Sequence, residues 1–186
     1  MKISVVKEVK DKENRIALTP EGAKKLIDAG NSVLVEENAG VNSGFSNDEY
    51  KNVGAEIVDT ETAWNAEMVI KVKEPVEKEY NFFKEQIIFT YFHLAGVTKT
   101  LTEALVNNKT TSVAYETVEG DKERLPLLAP MSAVAGNMSV TVGSYYLAKF
   151  NNGKGMQLGE VMGKKYGKVV VIGDGVVGKH AAKVAY

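Results

Sequence analysis

Cysteine is absent from the 186 residues, which excludes disulfides, thiolate nucleophiles and cysteine metal sites together. Histidine occurs only twice, at His93 and His180, so a histidine-rich metal centre is excluded too, and no metal is expected. An excess of one charge is also missing. Lys and Arg total 23 against 24 Asp and Glu, which argues against nucleic acid, or an acidic membrane, held by bulk charge. No apolar run nears the roughly 18 residues that a bilayer crossing takes. The opening Met1-Lys-Ile-Ser-Val-Val meets charge at Lys7, too soon for a secretory signal, and it has no small-residue cleavage site. A cytoplasmic protein is expected. What is present suits a packed core: 44% hydrophobic and 25% charged residues, for one generous domain or one domain and part of another.

Strand and helix patterns alternate from Met1 to about Thr117. Ile3–Val6 reads as a first strand, and a charged turn, Lys7 to Arg15, follows it. Thr19-Pro20-Glu21 then gives an N-cap, a proline at the first helical position and an acid in the first turn, with Gly30 as the stop. Further strands are expected at Val33–Val35, Ala55–Val58, Met68–Val72, Ile87–Phe92 and Ser112–Tyr115. Helices are expected at Asp48–Val53, Thr60–Ala66, Glu77–Phe83 and Thr98–Val106, and Trp64 reads as core. This grammar predicts an α/β fold with a mostly parallel sheet. After Leu125-Pro-Leu-Leu-Ala-Pro130 the pattern changes: Ser132 is read as the cap of a long helix reaching about Phe150, and a loop follows. The expected domains are therefore 1–128 and 129–186.

In a parallel sheet, ligands bind outside the carboxyl ends of the strands. Three residues reach that edge. Arg15 lies in the turn after the first strand, and a guanidinium fork suits a small carboxylate. Alone it could equally be a solvated arginine or one paired with Glu8. Lys73 ends its strand at the same edge, although a surface lysine would look the same. Lys71, two residues earlier, is expected on the same face and snorkelling to solvent. His93 follows six residues of buried strand, so a freely solvated histidine is not expected; it is either a satisfied structural histidine or a general acid/base. Convergence of a carboxylate clamp and an acid/base on one edge points to chemistry on a small carboxylate.

Near the other end, Gly173-Asp-Gly175-Val-Val-Gly178 follows the β-branched run Val169–Ile172 and opens a helix at Val177. That context makes it a dinucleotide turn, with glycines for a tight bend and close backbone approach to a pyrophosphate. Asp174 places a charge beside that phosphate. An acid to hold the ribose, about 20 residues further on, would fall past Tyr186. His180, on the same helix, needs no function.

Glu13-Asn-Arg-Ile-Ala-Leu-Thr-Pro20, Gly40-Val-Asn-Ser-Gly-Phe45, Ile70-Lys-Val-Lys-Glu-Pro75, Phe89-Thr-Tyr-Phe-His-Leu-Ala95, Ala114-Tyr-Glu-Thr117 and Leu128-Ala-Pro-Met-Ser-Ala-Val-Ala-Gly136 together resemble the NAD-dependent alanine dehydrogenase family. The resemblance runs through the whole chain in register. The related NAD-binding subunit of proton-translocating transhydrogenase shares the Arg-x-Ala-x-Thr-Pro element but lacks a histidine where His93 stands. Where the family often has Gly-x-Pro before Lys-Glu, this sequence has Ser4-Val-Val6 before Lys7-Glu8.

The resemblance implies a substrate domain followed by the first strand and helix of an incomplete Rossmann-type domain, with the catalytic cleft between domains and usually a homohexamer. It implies reversible oxidative deamination of L-alanine to pyruvate and ammonia, with NAD as cofactor. By position, it makes Arg15 and Lys73 substrate-binding and His93 the acid/base. Ser132, Gly173, Gly175, Val176, Val177 and Gly178 become cofactor contacts. The family's catalytic aspartate would lie beyond Tyr186 and is not assigned. Because the ribose-binding acid and most of the nucleotide sheet are missing from residues 1–186, they alone are expected to show no appreciable NAD-dependent turnover. Their apolar run Val169–Ile172 is expected to be disordered, paired with another chain or prone to aggregate. Two other readings stay open: a non-catalytic small-carboxylate-binding or oligomerisation fragment, and the transhydrogenase subunit.

Overall fold

A computed structural model describes residues 1–121 and 125–186. It divides into two compact units, Met1–Glu116 and Thr117–Tyr186. The change of sequence pattern had suggested a boundary at 128/129.

The first unit alternates strand and helix as its pattern predicts. The strands are β1 (Lys2–Val5), β2 (Ser32–Glu36), β3 (Glu56–Val58), β4 (Met68–Lys73), β5 (Ile87–Tyr91) and β6 (Thr111–Ala114). They form one sheet in the order β3-β2-β1-β4-β5-β6, and every neighbouring pair is parallel. This order is that of a doubly wound fold, and it reverses between β1 and β4. The intervening helices are α1 (Pro20–Asp28), α2 (Asn47–Asn52), α3 (Thr60–Trp64) and α4 (Lys99–Asn107), with a 3-10 helix at Glu77–Phe82. Helix α1 starts as its sequence dictates. Thr19 Oγ1 accepts the Gly22 N–H at 3.2 Å, and Gly30 closes the helix at φ 85°.

Two apolar clusters cover the strands. Helices α1 and α2 contribute Ala23 and Tyr50 to one cluster, against Val33 and Val35. Helices α3 and α4 contribute Ala63, Trp64, Leu101 and Leu105 to the other, against Val69 and Ile88. Trp64 is core, stacked on Phe82 with ring centres 5.5 Å apart. Burial on both faces is why the central strands read as continuous apolar runs rather than alternating ones.

Lys71 departs from its expectation. Instead of snorkelling it is only 1% exposed, with Nζ 2.8 Å from Glu79 and 3.4 Å from Glu8, both themselves buried. Lys71 shares the covered face of Val69, its Nζ 5.8 Å from the Trp64 ring centre, and the register of β4 shifts next to it. Ile70 pairs with Phe89 but Lys73 with Tyr91, so two residues of β4 lie opposite one of β5. Such a bulge breaks the period of two that would keep Lys71 and Lys73 equivalent. Glu8 Oε1 accepts the Val72 N–H at 2.6 Å and the Lys73 N–H at 3.4 Å, on the bulged segment itself. Burial raises the Glu8 carboxyl above the ordinary range, and Lys71 opposes that shift.

The second unit contains α5 (Ala129–Leu147), a two-residue hairpin of β7 (Glu160–Val161) and β8 (Lys164–Lys165), and α6 (Val176–Ala185). The hairpin had no counterpart in the sequence reading. Ser132 does not cap the long helix. That helix starts at Ala129 with Pro130 in its first turn and no side-chain cap at Leu128, so the proline at a first-turn position marks the true start. It ends at Leu147, short of Phe150. The two long helices meet closely at Gly136, where an added Cβ would stand 2.4 Å from the Val177 carbonyl oxygen. Val169–Ile172 pairs with no strand among the described residues, and Ile172 is 96% exposed. Among the described residues no helix is long and apolar enough to cross a membrane.

Removing Lys71 would leave two buried carboxylates uncompensated. Lys71→Met is expected to destabilise the first unit by about 3–5 kcal/mol, the usual scale for breaking a buried ion pair, read from urea unfolding. A loss below about 1 kcal/mol would place the lysine in the range of a surface pair instead.

Candidate functional site

Parallel strands deliver Arg15, Lys73 and His93 to one edge of the sheet. Arg15 follows β1, Lys73 closes β4 and His93 follows β5, so they flank the place where the strand order reverses.

The loop carrying Arg15 is fastened from two sides. Ser43, in a 3-10 turn at Val41–Ser43, donates from Oγ to the Asn14 carbonyl at 2.8 Å. Tyr50 donates its hydroxyl to the Leu18 carbonyl at 2.7 Å, and burial pushes that phenol up to about 12. Gly40 is needed here, because a Cβ would meet Phe45 O and the Tyr50 ring at 2.8 Å each. Arg15 itself is half exposed and forks onto Glu13, with Nε at 2.8 Å from Oε1 and Nη2 at 2.6 Å from Oε2. Arg15 thus grips the carboxylate of Glu13, two residues away, while Glu8 acts on the guanidinium through its charge. The guanidinium holds the Glu13 carboxyl below its ordinary range, and Lys73 adds to that lowering.

Lys73 is partly buried, with Nζ 3.6 Å from Glu74 Oε2. Glu74 also pairs with Lys10. The Lys73 backbone is tied at both ends: Glu8 receives its N–H, and its carbonyl accepts from Thr90 Oγ1 at 2.9 Å. The buried Lys71, Glu8 and Glu79 thus support the strand end that presents the partly buried Lys73 ammonium.

His93 adopts φ 49° and ψ 39°, the left-handed region. Its side chain is 47% exposed, more open than its position after a buried strand suggested. The imidazole stacks on Tyr91 with centres 5.9 Å apart and planes 10° apart. Tyr91 packs in turn against Tyr115, whose ring also meets Phe89. Burial raises both phenols, and the Arg15 charge partly offsets the shift at Tyr91. Glu116 Oε1 accepts the His93 backbone N–H at 2.6 Å. Glu8, Glu13 and Glu116 were missed in the sequence as supporting residues. Only Glu13, bracketing Arg15 in the chain, carried a local signal.

In the second unit, Ser132, Gly173, Gly175, Val176, Val177 and Gly178 all line one open groove of about 720 Å³. Gly173 has φ 98°, and a Cβ on Gly178 would lie 2.0 Å from the Gly173 carbonyl oxygen. No side chain caps α6, which leaves its first N–H groups available to an anion. This cradle fits a pyrophosphate. Among the described residues no group of three or more acidic or histidine side chains could hold a metal ion.

Two outcomes follow from this geometry. Glu13→Gln is expected to cost about 0.5–1 kcal/mol near neutral pH, the upper range for an exposed but bidentate pair. Because the folded Glu13 carboxyl is lowered, its contribution is present above the unfolded value and fades as pH falls through the folded one. The melting-temperature gap between the two proteins should therefore close in acid; a gap that widens there would contradict the pairing. Gly178→Ala should disrupt the glycine turn, because the added Cβ would meet the Gly173 carbonyl oxygen, and is expected to destabilise the second unit by about 1–3 kcal/mol. An unaltered unfolding midpoint would show that the turn has room for the side chain.

The alanine dehydrogenase/PNT N-terminal domain model matches residues 4–135, and the corresponding C-terminal domain model matches residues 139–186. The chain is 54% identical over 187 positions to an alanine dehydrogenase of Staphylococcus epidermidis (strain ATCC 12228), covering 100% of this chain and 50% of that protein. It is 51% identical to alanine dehydrogenase 2 of Staphylococcus aureus (strain USA300), with the same coverage. A solved L-alanine dehydrogenase superposes with a TM-score of 0.92 at 46% identity, over 100% of this chain and 52% of that one. A transhydrogenase from Sinorhizobium meliloti gives a TM-score of 0.69 at 23% identity, over 78% of this chain and 44% of that one, a likeness of fold alone. The chain spans about half the length of the curated relatives it matches. With both domain models matched in order, it belongs to the alanine dehydrogenase/PNT family.

Proposed function

We propose that residues 1–186 carry the substrate clamp and the acid/base of an NAD-dependent L-alanine dehydrogenase, which interconverts L-alanine with pyruvate and ammonia. The observation that carries this reading is the arrival of Arg15, Lys73 and His93 at one sheet edge, around the reversal of strand order, in a chain 54% identical to an alanine dehydrogenase. Residues 1–128 then act as the substrate domain, and 129–186 as a linker helix and the opening of the cofactor domain.

The Arg15 guanidinium and the Lys73 ammonium are the two cations that hold the substrate carboxylate, which fixes the orientation of the adjoining Cα. Glu13 keeps the guanidinium oriented until a substrate carboxylate competes for it. The His93 imidazole, open to solvent on one side, accepts a proton from the water that becomes the carbonyl oxygen of pyruvate. In the reverse direction it returns that proton. NAD, when bound, supplies the hydride acceptor. Gly173, Gly175 and Gly178 would receive its pyrophosphate on the α6 amino terminus, with Ser132, Val176 and Val177 lining the same groove. Homo-oligomeric assembly, hexameric as in the family, and a cytoplasmic location belong to this proposal through the resemblance.

Pyruvate titrated into the 186-residue chain is expected to shift the His93 imidazole resonances saturably. Arg15→Ala should weaken that binding roughly 10–100-fold, the worth of charge-assisted hydrogen bonds to a carboxylate. No saturable shift, or affinity unchanged by Arg15→Ala, would overturn the assignment.

A further inference from the structure

We propose that Glu116 is a positioning residue for His93: it locks the left-handed turn that presents the imidazole, and it supplies the acceptor for Nδ1–H, leaving Nε2 to exchange protons with the substrate. The inference rests on the reading of His93 as the acid/base and deepens it.

The turn needs a lock. His93 has a positive φ in a backbone region that a side chain with a Cβ rarely adopts, at the point where β5 ends. Glu116 supplies the lock through the 2.6 Å hydrogen bond from the His93 backbone N–H to its Oε1. Parallel pairing explains how a residue 23 positions away arrives there. Thr90 lies opposite Ala114, so the 3-10 turn at Tyr115–Thr117 that follows β6 comes abreast of the residues that follow β5.

The same carboxylate has unused capacity. Its Oε1 stands 3.9 Å from His93 Nδ1, too far for a hydrogen bond but within reach of a small side-chain rotation. Its Oε2 is buried and has no hydrogen-bond partner among the described residues. A buried acceptor left unmatched is a costly feature unless something in a working state uses it. Stacking on Tyr91 holds the plane of the imidazole, so what remains to be decided is which nitrogen carries the hydrogen.

That choice sets the chemistry. A neutral imidazole has one donor nitrogen and one acceptor, and the hydrogen bond made by one fixes the role of the other. With Nδ1–H directed at Glu116, Nε2 keeps its lone pair for the proton of an attacking water. Fixing the tautomer and orientation of an imidazole in this way is part of what the buried acid does in a Ser-His-Asp triad.

The two histidines make the test direct. In a 15N-labelled 186-residue chain, long-range proton–nitrogen correlation reads the tautomer of each imidazole at about pH 8.5, two units above the ordinary titration. His93→Gln removes one set of signals and so assigns the other to His180. His93 is expected to be mainly the Nδ1–H form. Glu116→Gln keeps an oxygen for the backbone amide but loses the charge, and should shift the tautomer ratio about tenfold towards Nε2–H, the worth of one charge-assisted hydrogen bond. Glu116→Asp, with a shorter reach, should shift it the same way. A purely structural Glu116 would alter the His93 amide resonance and leave the tautomer where it was. An Nε2–H form in the unaltered chain, or a ratio unmoved by Glu116→Gln, would overturn the proposal. The measurement contains no substrate. Its failure alongside intact, Arg15-dependent pyruvate binding would remove Glu116 while leaving the dehydrogenase reading in place.

Discussion

A strand in a parallel sheet must be left at its carboxyl end by a chain that crosses back over a face, so every turn following a strand falls on the same edge. The placement of Arg15, Lys73 and His93 in the first unit depends on that constraint. Residues from three separate stretches, each unremarkable alone, come to one edge because β1, β4 and β5 run the same way. The reversal between β1 and β4 opens a crevice there, since successive connections depart to either side. A guanidinium, an ammonium and an imidazole thus share that edge without any stretch of sequence encoding it.

Holding those groups still takes a second layer of charge. Lys71, Glu8 and Glu79 lie almost wholly out of water, where burying ions is costly unless they satisfy one another. They do so at the bulge in β4. Glu8 spends one oxygen on the Val72 and Lys73 backbone N–H groups, which are displaced from a regular ladder by the extra residue. An apolar replacement of similar volume could fill the space, but it could not receive those amides. The buried ions are therefore best understood as a fastening for an irregular strand rather than as a source of net stability.

What could be read from the sequence follows from how local each signal is. Thr19, Pro20 and Gly30 marked both ends of α1 because capping is decided within a few residues. The strands were legible as short β-branched runs, and the parallel sheet from their alternation with helices. Arg15, Lys73 and His93 could be placed on one edge by topology alone. Lys71 could not, because the buried carboxylates that receive it, Glu8 and Glu79, reach it only in the folded chain. The backbone roles of Glu8 and Glu116 were invisible for the same reason, as their partners lie 64 and 23 residues away. The long helix was misread at its start because Ser132 resembles a cap, although Pro130 already occupied the first turn.

His93 carries a final consequence through its backbone. Conformational preference alone would put glycine or asparagine at a residue with φ 49°, since either tolerates that region with less of the roughly 1–2 kcal/mol that a Cβ incurs there. Neither can pass a proton. The turn is therefore somewhat less stable than another sequence could make it, and this position is poorly suited to improvement by substitutions chosen for thermal tolerance. Variants selected only for resistance to heat would tend to drift towards glycine or asparagine here. They would gain stability in the turn while losing the imidazole that stands at the sheet edge.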